Sequence, residues 1–436
     1  TADSIYSINM NEKFTAMDTK KKIVIVGSGF AGIRLVNELD EKLFEITLLD
    51  KLNNHQFQPL LYQVATAQID PSSISFPLRS VFKKKKNIHI RIAEVSKVDR
   101  EQKEVITNIG NFAYDYLVIG TGCKSNFFGN TQIENHSLTL KSTSDAIAIR
   151  NHILLTFERI ISASEQEKER LLNILIVGAG PTGVELAGAF AEIKNTVLPK
   201  DYPDIDFKKL KIILVEGSQN TLNNMSDTAK NASQKYLQEM GVVVRTGLHM
   251  TSYDGEIAVF NNGEEIKTGT VIWAAGITGN AIEGLPDNTI VRGNRIHVDR
   301  YNRVLGCVDV FAIGDIAHME TPKYPNGHPQ LANVAINQAI RLAKNLKAIE
   351  QNKDLIEFEY KDLGSMATIG NHKAVVDLPF IKFEGYFAWI VWMFLHLMLI
   401  LTIKNKLIIF LNWAWRYFTK DNSLRLILPP VNNNKL

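Results

Sequence analysis

The sequence predicts an α/β protein, and three passages carry that expectation. Lys22 to Val26 is an unbroken apolar strand running into Gly27-Ser28-Gly29-Phe30-Ala31-Gly32 and then into a helical stretch, Ile33 to Leu39. Asn173 to Val177 repeats the arrangement with Gly178-Ala179-Gly180-Pro181-Thr182-Gly183 and a helix from Val184. From Tyr386 onward the composition turns apolar and aromatic. Continuous apolar strands belong to parallel sheets buried on both faces, and strand, glycine turn and helix in succession mark a Rossmann-like unit. The expected architecture is therefore two Rossmann-like dinucleotide-binding domains followed by a C-terminal membrane-associating helical region.

A chain of 436 residues, 45% hydrophobic and 22% charged, is long enough for two or three cores. Its net charge of +3 is too small to point to a nucleic-acid binder, so the Lys83 to Lys86 run needs only a local explanation: a solvated loop, or contact with anionic lipid. Cys123 and Cys307 lie far apart, form no CxxC and belong to no ligand cluster, so no metal site is expected and a reducing compartment fits. Thr1 to Lys20 is polar and lacks the basic and apolar blocks of a signal peptide. It is expected to be a disordered tail, with Met10 a candidate natural start.

In the first unit, Gly27 permits a tight turn, Gly29 lets backbone approach a pyrophosphate, and Gly32 lets helix and strand pack closely. The N–H groups opening the helix face the phosphates. The next strand, Glu45 to Leu49, ends in Asp50, a carboxylate placed to accept ribose hydroxyls. In the second unit the corresponding strand, Lys211 to Val215, ends in Glu216, and no Arg or Lys follows until Lys230. An acid without a nearby base selects NAD over NADP. The interval from Gly183 to Glu216 is longer than usual, and Ile193 to Asp206 reads as a surface insertion. Tyr114 to Gly122 and Thr270 to Gly276 are buried strands ending in small residues, each closing a sheet. Val310 to Asp315 is a third, whose terminal acid is placed to meet a ribityl hydroxyl or the flavin pyrophosphate.

These motifs, in this order, resemble the two-dinucleotide-domain flavoproteins, in which an FAD domain is interrupted by an NAD(P)H domain; the likeness covers about Lys22 to Lys347. Within that family, His55-Gln56-Phe57-Gln58-Pro59-Leu60-Leu61-Tyr62-Gln63-Val64-Ala65-Thr66 is similar to the type II NADH dehydrogenases. So are Tyr360 to Gly370, Gly385 to Trp389 and Trp392 to His396. The resemblance implies an FAD-binding domain over 21–140 and 290–347, an NADH-binding domain over 141–289, and a membrane-anchoring, dimerising region over 348–436. FAD then falls to Gly27, Ser28, Gly29, Phe30, Ala31, Gly32, Asp50 and Lys51, to Gln63, Thr66, Val95, Thr121 and Gly122, and to Gly314, Asp315 and Ala335. NADH falls to Gly178, Gly180, Pro181, Thr182, Gly183, Glu185, Glu216, Ala275 and Gly276. The subfamily's quinone motif, Ala-Gln-x-Ala-x-Gln, reads here Ala332-Asn333-Val334-Ala335-Ile336-Asn337-Gln338, with asparagine in both glutamine positions. Asn333, Asn337 and Gln338 are the candidate amides for a quinone carbonyl.

The implied activity is that of an NADH:quinone oxidoreductase: hydride from NADH to FAD, then two electrons to a membrane quinone. No transmembrane relay of ionisable residues suggests proton pumping. Glu185 is expected to orient the nicotinamide side of the pocket, and Gln338 to serve the acceptor side; for Glu185 a plain complement to the helix dipole is the alternative. Disulfide reductases of this architecture need a CxxxxC, and no cysteine lies between Asp50 and Arg100. A sulfide:quinone oxidoreductase needs a cysteine pair flanking the flavin, which Cys123 and Cys307 fit poorly. A low-turnover nucleotide-binding signalling protein is the other alternative. His55 and His396 read as packed residues.

At the C-terminus, Tyr386 to Ile403 is at the lower length bound for crossing a bilayer, breaks at Lys404-Asn405-Lys406, and resumes from Leu407 to Phe418, which is too short. Tyr386, Trp389, Trp392, Trp413, Trp415, Tyr417 and Phe418, with Lys404, Lys406, Arg416 and Lys420, resemble an interfacial anchor lying on the membrane. Burial against the protein or a second subunit is the competing reading. The resemblance implies a homodimer on the cytoplasmic face of the cell membrane.

Overall fold

The computed structural model describes residues 20–420 and 424–428, so the tail expected over 1–20 lies, but for Lys20, outside the described residues. Five parallel strands form a first sheet in the order Val310–Ala312, Tyr116–Ile119, Lys21–Val26, Phe44–Asp50, Ile88–Ile92. Five more form a second: Leu138–Thr139, Thr270–Trp273, Asn173–Val177, Lys211–Glu216, Val242–Thr246. Every strand of the second sheet falls between the fourth and last strands of the first in sequence, so one unit interrupts the other. Where the chain leaves and returns, Cys123–Ser125 and Ile277–Gly279 pair as an antiparallel ribbon.

Helix α1 (Phe30–Glu38) opens directly on the first glycine turn. The short helix α2 (Leu61–Ala65) is buried throughout and leads towards α3 (Thr143–Ser162), whose Ser142 and Asp145 form a capping box. Helix α4 (Pro181–Thr196) opens on the second glycine turn with Pro181 in its first position, where no N–H is needed. Helix α5 (Ala332–Glu350) packs with α1 on one face of the first sheet, through Ile33, Leu35, Leu342 and Leu346 against Ile23 and Ile25.

The long interval after α4 is not a surface insertion. Val197, Leu198, Ile205, Phe207 and Leu210 are buried, and Phe207 meets Phe157 of α3 edge-on at 5.7 Å. The outer face of α3 is apolar, and this stretch covers it.

A three-stranded antiparallel sheet, Ser365–Thr368, Ala374–Asp377 and Lys382–Gly385, leads into α6 (Tyr386–Leu399) and α7 (Ile403–Thr419). The turn between these helices comes earlier than the charges suggest. The chain is extended at Ile400 and Thr402, the Thr402 hydroxyl accepts from the Asn405 N–H at 3.2 Å, and Lys404 to Lys406 form the first turn of α7. A threonine N-cap outweighs a pair of lysines in deciding where a helix starts, and Lys406 Nζ donates to the Met398 carbonyl at 2.8 Å, answering an end carbonyl of α6. Among the described residues, no helix is long and apolar enough to cross a membrane. In the basic run, Lys85 pairs with Glu41 at 3.5 Å while Lys83, Lys84 and Lys86 are exposed.

Candidate active site

Both glycine turns lie at the carboxyl ends of their sheets, where open α/β sheets bind ligands. A Cβ on Gly32 would sit 1.9 Å from the Gly27 carbonyl oxygen, and one on Gly183 would sit 1.8 Å from that of Gly178. The third glycine of each turn is thus fixed by the crossing of helix and strand. A Cβ on Gly29 or Gly180 would meet nothing within 4 Å, so each helix N-terminus faces open space of the kind a pyrophosphate fills.

The acids at the strand ends also staple these turns. Asp50 Oδ2 accepts from the Ser28 N–H at 2.6 Å and its hydroxyl at 2.7 Å, while Oδ1 accepts from the Leu52 N–H at 2.8 Å. Glu216 repeats this: Oε2 accepts from the Ala179 N–H at 2.6 Å and Oε1 from the Ser218 N–H at 2.8 Å. Glu216 forms no ion pair among the described residues. Each carboxylate has two oxygens and more lone pairs than these donors use, leaving acceptor capacity for a ribose.

The first crevice brings several expected residues together. A Cβ on Gly314 would lie 3.3 Å from that of Ala31 and 3.4 Å from that of Ala335, so α1, α5 and the Val310–Ala312 strand end converge. Burial pushes the Asp315 carboxyl upward. The Thr121 hydroxyl donates to the Asn280 carbonyl at 2.7 Å. Beneath the turn, His55 Nδ1 lies 2.9 Å from the Ser28 carbonyl oxygen and its ring meets Phe30 edge-on. Lys51 is exposed and paired with Glu94 at 2.6 Å, and Val95 is half-buried on the adjoining strand. In the second crevice, Pro181 and Thr182 are exposed, and Gly276 lies against the Phe128 ring.

Glu185 is the fifth residue of α4, and no acid stands in the first turn of that helix, which removes the dipole reading. It points instead into a cavity of about 30 Å³ beneath the C-terminal helices. Burial raises its carboxyl to about 8, against a weaker pull from the Thr368 N–H, from which Oε1 accepts at 3.4 Å. The Tyr62 hydroxyl lies 3.0 Å from the Thr368 hydroxyl, and burial pushes this phenol upward too. Gln63 Nε2 donates to Tyr62 Oη at 3.0 Å while its Oε1 accepts from Trp413 Nε1 at 2.9 Å, so this amide is spent tying α2 to α7. The Thr66 hydroxyl donates to the Tyr62 carbonyl at 2.8 Å. Arg416 of α7 closes the far wall, paired with Glu192 of α4 and donating to Gln68. Tyr62, Glu192, Thr368 and Arg416 were not anticipated from sequence. The one available signal was Arg416, a cation set among the aromatic residues at the end of α7.

The quinone-motif residues stand apart from this cavity, which none of them lines. Asn337 Nδ2 donates to the Asn333 carbonyl at 2.8 Å, a bond back along its own helix. Gln338 is buried, with Oε1 accepting from the Gly314 N–H at 2.7 Å and Nε2 without a partner among the described residues.

Both cysteines are free and half-buried. Cys123 Sγ accepts from Gln330 Nε2 at 2.8 Å, and burial lifts its thiol to about 12; Cys307 is pushed upward by burial as well. Neither has the depressed acidity of a reactive thiolate. Among the described residues, no group of three or more His, Cys, Asp or Glu is placed to hold a metal.

Residues 21–339 match the pyridine nucleotide-disulphide oxidoreductase family, and residues 363–420 match the NDH2 C-terminal domain. The chain is 31% identical over 415 residues to the type II NADH:quinone oxidoreductase Ndh of Mycobacterium tuberculosis, covering 91% of this chain and 88% of that one. It is 30% identical over 363 residues to the type II NADH:quinone oxidoreductase of Staphylococcus haemolyticus, covering 82% and 89%. In fold it is similar to NDH2 from Plasmodium falciparum, solved in complex with NADH, at a TM-score of 0.87 and 22% identity over 94% of this chain and all of that one. The sulfide:quinone oxidoreductase of Aquifex aeolicus is similar at a TM-score of 0.70 and 18% identity, covering 92% and 96%.

Proposed function

The chain belongs to the type II NADH:quinone oxidoreductases of the pyridine nucleotide-disulphide oxidoreductase family, and from that premise we propose how its residues divide the work. It is an FAD-dependent enzyme that oxidises NADH and reduces quinone. The observation that carries this reading is the duplicated crevice: two parallel sheets, two glycine turns, and Asp50 and Glu216 clamping equivalent backbone N–H groups. FAD, when bound, supplies the acceptor for a hydride and the donor of two electrons to quinone.

In this proposal the turn from Gly27 to Gly32, with Asp50, Gly314, Asp315 and Ala335, holds FAD, and the turn from Gly178 to Gly183, with Glu216, Ala275 and Gly276, holds NADH. These fixed turns set the approach of the reacting rings, which is where most of the protein's contribution to a hydride transfer lies. Glu216, unaccompanied by a base, accepts the ribose hydroxyls and leaves no counter-charge for a 2′-phosphate. Glu185 is neutral at pH 7 and holds a proton on its carboxyl at the head of the cavity. Of the quinone-motif amides, Asn337 is engaged along its own helix, while the buried Gln338 Nε2 has an unspent donor among the described residues.

The deciding experiment is steady-state NADH oxidation by FAD-replete protein with a short-chain quinone. A rate no greater with quinone than without it would overturn the reading, and sulfide in place of NADH should support no turnover.

We further propose that α6 and α7 rest on a lipid surface, on the cytoplasmic side where NADH is available, and that the chain works as a homodimer. Phe394 is 59% exposed, Phe410 53% and Phe418 82%, a density of open aromatic surface that soluble faces rarely carry. The double change Phe394→Glu/Phe410→Glu is expected to weaken partition onto liposomes at least ~10-fold, read by co-flotation. Unchanged flotation with a shift from dimer to monomer in light scattering would assign this face to a second subunit instead.

A further inference from the structure

A second cavity, separate from the one beneath α6, lies where α2, α3 and α4 meet, and also measures about 30 Å³. Its walls are apolar: Ile153 and Phe157 of α3, Phe190 and Ile193 of α4, and Ala65 at the end of α2. Arg150 of α3 lines it, with only 3% of its surface exposed, and its Nε and Nη2 have no hydrogen-bond partner among the described residues.

A guanidinium does not give up its proton in a protein, and a buried charge without a partner is among the costliest arrangements a fold can hold. Nothing described around Arg150 answers it. The other cation on this cavity, Arg425, has its own carboxylate, Asp201, at 2.5 Å. Asp70 acts on Arg150 only from beyond ion-pair distance, and its Oδ1 accepts from the Ser72 N–H at 2.8 Å. A trapped water supplies lone pairs but no charge. The space has room for one compact species beside Arg150.

We propose that this cavity is a binding site for a small monovalent inorganic anion of halide size, held by Arg150. The anion completes the packing of α3 against α2 and α4.

The test uses the full-length holoenzyme at constant ionic strength, with chloride exchanged for gluconate, which is too large to enter. Chloride is expected to raise the thermal midpoint by about 2 °C, and the Arg150→Met protein should show no such difference. Equal midpoints of the unaltered protein in the two salts would mean that water alone fills the cavity and would overturn the proposal. Should Arg150→Met fail to fold, crystals of the unaltered protein soaked in bromide decide the matter. An anomalous peak within hydrogen-bonding reach of Arg150 Nε or Nη2 is expected. Its absence, or a peak accompanied by a halide-independent midpoint and so an adventitious ion only, refutes the site.

Discussion

Replacing Gly183 by alanine is expected to lower kcat/KM for NADH at least ~100-fold while FAD remains bound. The new Cβ would stand 1.8 Å from the Gly178 carbonyl oxygen, a distance no side chain accommodates, and 3.0 Å from its carbon. Helix α4 must therefore move off the Asn173–Val177 strand, and the turn moves with it, pulling the Ala179 N–H from Glu216. A displacement of about an ångström is enough for that loss of rate, because hydride transfer depends on the separation of the reacting rings. The first sheet does not share this contact. Gly32→Ala meets the same obstruction, 1.9 Å from the Gly27 oxygen, and is expected instead to yield protein depleted of flavin. Flavin absorbance per chain and NADH kinetics, measured on both variants, distinguish the two outcomes. A Gly183→Ala protein within a few-fold of normal kcat/KM would show that the second turn does not bind NADH.

Much of this architecture is legible in sequence because its determinants are local. Strand, glycine turn, helix and acidic strand end succeed one another within a few dozen residues, and backbone geometry requires the first and third glycines of each turn where they stand. What escaped was long-range. Tyr62 meets Thr368 across 306 positions, and Arg416 meets Glu192 across 224. No periodicity encodes such pairs. The stretch after α4 looked like a surface insertion because the interval from Gly183 to Glu216 is longer than the motif needs; only the open face of α3 gives its apolar residues a partner. The helix break at Ile400 was placed too late because charge was weighed above the Thr402 cap. Asp50 and Glu216 were read as ribose acceptors, and their second role, as staples for the turns they face, depends on a loop closure that sequence does not show.

Glu185→Gln is expected to flatten the dependence of stability on pH. In the native protein, burial holds the Glu185 proton up to about pH 8, whereas its ordinary value is 4.5. Between those limits the native state binds a proton that the unfolded chain has released, so stability falls as pH rises, by up to ~1.4 kcal/mol per pH unit. Below the lower limit both states are protonated and the contribution is complete; above the upper limit both are ionised and the loss is complete. Glutamine keeps the acceptor for the Thr368 N–H without a proton to lose. The two proteins should therefore melt alike near about pH 5, and the unaltered one should fall behind by several degrees near about pH 8.5. Parallel curves would mean that this carboxyl ionises as an exposed one does. The same comparison bears on the reaction. If Glu185 orients the nicotinamide as a neutral hydrogen-bonding group, glutamine should preserve KM for NADH at pH 7. The pH dependence of the rate near 8 should then disappear with the carboxyl, because ionising it would place an unpaired charge in a cavity walled by Trp392 and Trp413.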